Sequence, residues 1–255
     1  MSDLAQHVML RLRDDRVIAP DAAARRRLAR TVLELGRGRG LLCFRGADTH
    51  VHLLVLGQRS TAAELARRIE IALALGLGRG VGFSSAHLRP VESQQHLLRA
   101  FWYVLRQDER HGLDGDAFHD ASSLPDLLGA RVLGSWTAEA VRAALPRVRR
   151  EELAERLGLS EAEPAELSLA PLEDAASAAI ALPNLRGRTA DVVSARRAAL
   201  AVARDRARPG DAAAALGLSE RTARHMLTRG DTVSHALVRA VRMQLVLRQP
   251  RSRRE

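Results

Sequence analysis

The chain of 255 residues has no lysine, one cysteine, one tyrosine and only 3% aromatic residues. A lone cysteine, Cys43, excludes a disulfide framework and points to a reducing, cytoplasmic setting. No run of about 18 apolar residues occurs, so neither a transmembrane helix nor a membrane partner is expected. The opening Met1-Ser2-Asp3-Leu4 lacks the basic and apolar regions of a signal peptide. With 46% hydrophobic residues the chain can bury a real core, in one or two domains.

The absence of lysine leaves arginine to carry all the basic charge, and its position is the informative part. Residues 186–255 hold 16 arginines and 6 acidic side chains, which accounts for the whole net charge of +10. The other 185 residues balance at 24 and 24. A cationic block confined to the C-terminal quarter suits a phosphate-binding surface.

Hydrophobic periodicity organises the first part of the chain. Residues 6–12 read as a strand and 21–36 as an amphipathic helix. Residues 40–45 and 50–56 read as a hairpin around the turn signal Gly46-Ala47-Asp48-Thr49. Residues 61–75 read as a helix, 76–82 as a glycine-rich loop, 83–91 as a strand and 93–107 as a helix. This order predicts an α+β domain, an antiparallel sheet flanked by helices, over residues 1–115. Residues 116–188, interrupted by five prolines, read as a helical linker region. Residues 189–255 read as an all-α domain: helices over 189–207, 211–216, 219–229 and from Asp231 or Thr232 to Leu247.

Two short patterns carry chemistry. In a strand, residues i and i+2 share a face, so His50 and His52 project together while Val51 points away. Two imidazoles at this spacing can hold one divalent cation; the plain alternative is a pair of ordinary surface or core histidines. In the helix 93–107, Tyr103 and Gln107 stand one turn apart. A glutamine carbonyl is a hard oxygen ligand that suits Mg²⁺ or Mn²⁺, and a phenol beside such an ion can act as a nucleophile on phosphate. The plain alternative for Tyr103, next to Phe101 and Trp102, is an aromatic core stripe.

Taken together, the stretch Cys43 to Val55 with its His50-Val51-His52-Leu53-Leu54, the pair His7-Val8, and Tyr103 to Gln107 followed by His111-Gly112-Leu113 resemble the HUH-type single-tyrosine transposases. The likeness is to the REP-associated tyrosine transposases and their insertion-sequence relatives, over about residues 5–115. The resemblance implies an HUH, ferredoxin-like fold. It also implies His50, His52 and Gln107 as ligands of a Mg or Mn ion. Tyr103 would be the catalytic residue, linked through a 5′-phosphotyrosine to single-stranded or hairpin DNA, with repeat-type targets and a monomeric or homodimeric enzyme. The lead-in Ala47-Asp48-Thr49 and the segment Phe83 to Pro90 depart from the family pattern. A catalytically decayed, domesticated DNA-binding regulator therefore stands as the alternative.

The C-terminal run Asp211 to Leu227 has helix-turn-helix character, with glycine at the turn and apolar positions at Leu218, Ala223 and Leu227. The block from Ala190 resembles the DNA-binding helices of replication initiators of the DnaA type. That likeness places Ser219, Arg221, Thr222 and Arg224 near the DNA. Arg196, Arg197, Arg204, Arg206 and Arg208 are its candidate phosphate contacts.

Overall fold

A computed structural model describes residues 3–14, 16–78, 80–107, 120–156, 168–204, 206–228 and 233–248. Four strands and eleven helices occur among them. The order is β1 (Ala5–Arg11), α1 (Ala22–Gly36), β2 (Leu41–Ala47), β3 (His50–Leu56), α2 (Arg59–Leu77), β4 (His87–Val91) and α3 (Gln94–Leu105). Then come α4 (Leu124–Leu127), α5 (Ser135–Ala144), α6 (Arg150–Arg156), α7 (Leu172–Ala179), α8 (Ala190–Ala203), α9 (Pro209–Ala215), α10 (Glu220–Thr228) and α11 (His235–Leu247). The protein is α+β, and no described helix is long and apolar enough to cross a membrane.

The strands form one antiparallel sheet in the order β2-β3-β1-β4. Alternation along the strands decides what each face carries. Val8, Leu10, Val51, Leu53 and Val55 point to one side and pack against Leu28, Val32 and Leu33 of α1 and Leu65, Ala66 and Ile69 of α2. Each such side chain contributes about 1.5–3 kcal/mol by leaving water. The residues between them point to the other side, where α3 contacts β2, β3 and β4. Asp21 starts α1 by accepting from Ala24 N at 2.7 Å, and Ser93 starts α3 by accepting from His96 N. The α1–β2 turn requires glycine at position 40: φ is +75°, and a Cβ there would stand 2.4 Å from the Leu56 carbonyl oxygen.

The two sheet edges are treated differently. The β2 edge is covered by residues 121–123: Gly46 N donates to Ala121 O at 2.7 Å and Ser123 N to Phe44 O at 2.9 Å. Behind this cover Arg26 of α1 meets Asp120 at 2.7 Å, both buried. The β4 edge carries Pro90, whose missing N–H costs nothing on an unpaired edge.

Several expectations are adjusted here. Gly46 and Ala47 belong to β2 rather than to the turn, which narrows to Asp48-Thr49, with Asp48 at φ 41°. Gly46 lies against Ala121, where a Cβ would meet the Ala121 Cβ at 3.1 Å. The strand expected over 83–91 is confined to His87–Val91, preceded by a single bridge from Phe83 to Leu12. Gln107 is beyond α3, one residue after its C-cap Arg106.

The chain divides into two compact units, Met1–Leu128 with Leu133–Gly158, and Gly129–Val132 with Leu159–Glu255. The expected linker region is shared between them. Helices α4 to α6 belong to the first unit, and α7 belongs to the core of the second. Leu172, Ala175, Ala176 and Ala179 of α7 pack with Ala195, Ala199 and Val202 of α8 and with Leu237, Val241 and Leu245 of α11. The short segment 129–132 is held in this unit by Val132 N donating to Ala179 O and by Gln244 Nε2 donating to Ala130 O at 2.8 Å. A cut at 188/189 would therefore divide a hydrophobic core.

Within the second unit, α9 and α10 flank the turn Gly217-Leu218-Ser219, with Gly217 at φ 62° and Ser219 Oγ accepting from Thr222 N at 3.2 Å. Leu218 and Leu227 pack half-buried on the core, and Ala223 is fully buried. The last helix is capped by Ser234, which accepts from Leu237 N. The caps expected at Asp231 or Thr232 lie outside the described residues.

Candidate functional site

The β1–β3 register sets Arg11 opposite His50, Met9 opposite His52 and His7 opposite Leu54. Directly opposed residues share a face, so His7, His50 and His52 all project from the side that α3 covers. His50 and His52 have ring centroids 4.7 Å apart. The ring of Tyr103 stands edge-on to His52 at 5.7 Å and to His7 at 5.4 Å. Tyr103 is 39% exposed; its phenol is accessible, not part of a sealed aromatic core. Phe101, two residues earlier, points into the core and is fully buried.

His7 and His52, 45 residues apart in sequence, meet through Nε2 and Nδ1 at 2.9 Å. Their rings are within 11° of parallel with centroids 5.1 Å apart. That separation nearly equals the nitrogen distance plus the two ring radii, so the rings lie edge to edge in one plane. The contact is an in-plane hydrogen bond, not a face-to-face stack. Burial, then the neighbouring Arg89, His87 and His96, hold the His7 pKa down to about 4. His7 is thus neutral near pH 7, and one nitrogen of the pair donates its proton to the other.

Gln107 is 1% exposed. Its Nε2 folds back to donate to the Tyr103 carbonyl at 2.7 Å. Its Oε1 is buried and has no hydrogen-bond partner among the described residues. A buried acceptor left this way costs about 1–3 kcal/mol, so it is the kind of atom a cation would satisfy. Among the described residues no group of three His, Cys, Asp or Glu side chains can hold a metal ion by itself. The donors this region offers to a divalent ion are the two imidazoles of His50 and His52 and this amide oxygen.

Two residues of this region were not among the candidates. His7 completes the histidine row; in the sequence it stands only as part of the family likeness, without a role, and as a residue alternating with Val8 and Leu10 of the core face. Arg45, opposite His52 in the β2–β3 register, is 0% exposed and brings a buried guanidinium to the same face.

In the second unit, Arg204, Arg206, Arg208, Ser219, Arg221, Thr222 and Arg224 are exposed. Arg224 pairs with Glu220 one turn away. Arg196 and Arg197 are only half-exposed, and Arg196 spends a guanidinium nitrogen on the Gly187 carbonyl at 3.0 Å. On α10 only Ala223 is buried, so most of that helix faces outward. Comparison with protein-family models, curated proteins and solved structures finds no match to this chain.

Proposed function

We propose that the protein is a metal-dependent DNA endonuclease and strand transferase of the HUH single-tyrosine type, with Tyr103 as nucleophile and the second unit as a helix-turn-helix DNA-binding module. The observation that carries this reading is the position of one accessible phenol, edge-on to His52 and His7 and followed by a buried, partnerless glutamine oxygen. The β-α-β-β-α-β order of the first unit is that of a ferredoxin-like sheet, which agrees with the fold the family likeness implies.

His50, His52 and Gln107 Oε1 would hold the Mg²⁺ or Mn²⁺ ion. When bound, the ion supplies polarisation of the scissile phosphate. With His52 Nε2 turned to the ion, its Nδ1 would carry the proton and donate it to His7 Nε2. His7 then fixes the ring and its tautomer, the part that outer partners play around metal-ligating histidines. The Tyr103 oxygen forms a bond to phosphorus, the bond from phosphorus to the 3′-oxygen breaks, and the phenolic proton passes to solvent while the 3′-oxygen takes one up. The products are a 5′-phosphotyrosine and a free 3′-hydroxyl. Exposed arginines and Thr222 around α10 would hold the DNA through phosphates and groove edges.

The test is incubation of the full chain with labelled single-stranded and hairpin oligonucleotides and Mn²⁺, followed by a denaturing gel. A covalent adduct that Tyr103→Phe abolishes is the expected result. Because Tyr103 is the only tyrosine in the chain, any phosphotyrosine must be on it. No adduct across a broad hairpin set would leave a DNA-binding protein without nuclease chemistry.

A further inference from the structure

The first 185 residues are neutral in sum, yet the structure gathers uncompensated cations beside Tyr103. The β1–β4 register sets Arg89 opposite His7 and His87 opposite Met9, on the face that carries His52. On α3, His96 and Arg99 precede Tyr103 at spacings of three and four residues, forming one stripe about 10 Å long. All four residues are exposed. Arg89 donates to His87 Nε2 at 2.9 Å, and neither Arg89 nor Arg99 has a carboxylate partner among the described residues. Some arginines elsewhere in this unit do: Arg67 and Arg68 with Glu64, Arg30 with Glu34, Arg16 with Asp14. The nearest carboxylate in sequence, Glu92, lies past the end of β4.

We propose that β4 and the exposed stripe of α3 form a phosphate track that binds the backbone of a single-stranded polynucleotide, with Arg89 and Arg99 as its principal contacts and His87 and His96 beside them. The track leads to Tyr103; what the strand does there rests on the nuclease reading, whereas binding along the track does not. A row of cations beside an exposed aromatic ring, here Tyr103, is the form that sequence-tolerant single-strand binding takes. Only two arginines are involved, so the contribution is a modest addition to whatever the second unit supplies, and it is specific for single strands.

The experiment uses the full chain in EDTA, which removes metal-dependent cleavage from the readout. Fluorescence anisotropy measures binding of a 20-nucleotide single strand and of its duplex over a range of salt. Wild type is compared with Arg89→Ala/Arg99→Ala, with Arg89→Lys/Arg99→Lys, and with Arg67→Ala/Arg68→Ala on the far side of the sheet. The alanine pair is expected to lower single-strand affinity and to make its log–log salt slope shallower by about 1.4, at about 0.7 per phosphate. Duplex binding, the lysine pair and the α2 pair should match wild type. An unchanged single-strand slope, an equal loss on duplex, the same loss in the α2 pair, or no single-strand binding by wild type would each overturn the track. A shallower slope without any covalent adduct in Mn²⁺ keeps the track and removes the nuclease; an adduct with an unchanged slope does the reverse.

Discussion

Replacing Gln107 with leucine separates the proposed metal-ligand role from ordinary packing. The side chain is 1% exposed, with Nε2 bonded to the Tyr103 carbonyl and Oε1 without a partner among the described residues. Gln107→Leu loses the first interaction, about 0.5–1.5 kcal/mol, and removes an orphaned acceptor that costs about 1–3 kcal/mol. In EDTA the variant should therefore lie between about 0.5 kcal/mol less stable and about 2.5 kcal/mol more stable than wild type. The upper bound corresponds to a rise of about 10 °C at 2–4 °C per kcal/mol. The sign reverses with metal. An ion at 100 times its Kd stabilises the folded state by about 2.7 kcal/mol, and the variant, left with two imidazoles, should lose most of that gain. Trp102 and Trp136 are the only tryptophans, and both lie in the first unit, so tryptophan fluorescence follows that unit's melting alone. A variant that melts well below wild type in EDTA, and rises as much with Mn²⁺ as wild type does, would refute the assignment of Oε1 to a metal.

Further outcomes follow from the same geometry. His50→Ala should abolish adduct formation while leaving duplex binding intact in the anisotropy assay; lost binding would mean His50 is structural. His7→Phe should weaken Mn²⁺ binding about 10–100-fold, read by electron paramagnetic resonance of free Mn²⁺ without DNA. Unchanged affinity would remove His7 from the site. Asp120→Ala removes the carboxylate facing the buried Arg26 and should destabilise the first unit by up to about 3–5 kcal/mol in urea unfolding; a loss under about 1 kcal/mol would show that the pair does not hold the β2 cover. Arg208→Ala with Arg221→Ala should make the duplex salt slope shallower by about 1.8, at about 0.9 per phosphate. A constant slope would place the duplex contacts elsewhere.

Periodicity made most elements of the first unit legible. The alternation in His50-Val51-His52-Leu53 already says which side chains share a face, because a strand has no freedom in that respect. The basic C-terminal block and the Gly217 turn were equally visible, since charge counts and turn chemistry are local. Gln107 was harder. Helical spacing puts it one turn from Tyr103, but the helix stops at Leu105, and what matters is the amide folding back on the Tyr103 carbonyl. The unit boundary was also hidden: Leu172 and the alanines of α7 look like part of a linker until α8 and α11 close over them.

Residue order alone therefore determined the element sequence, the facing histidines, the single possible phosphotyrosine position and the location of the net charge. Each of these depends on neighbours within a turn or a strand. Tertiary structure decided what stands against them. Strand pairing brought His7 to His52 and Arg45 to the same face, and α3 laid Tyr103 over both histidines. It also turned a neutral composition into a cationic face at β4 and α3. Pairing register and helix packing are set by burial of the opposite, apolar side of the sheet, so the polar side acquires its neighbours as a consequence of core packing.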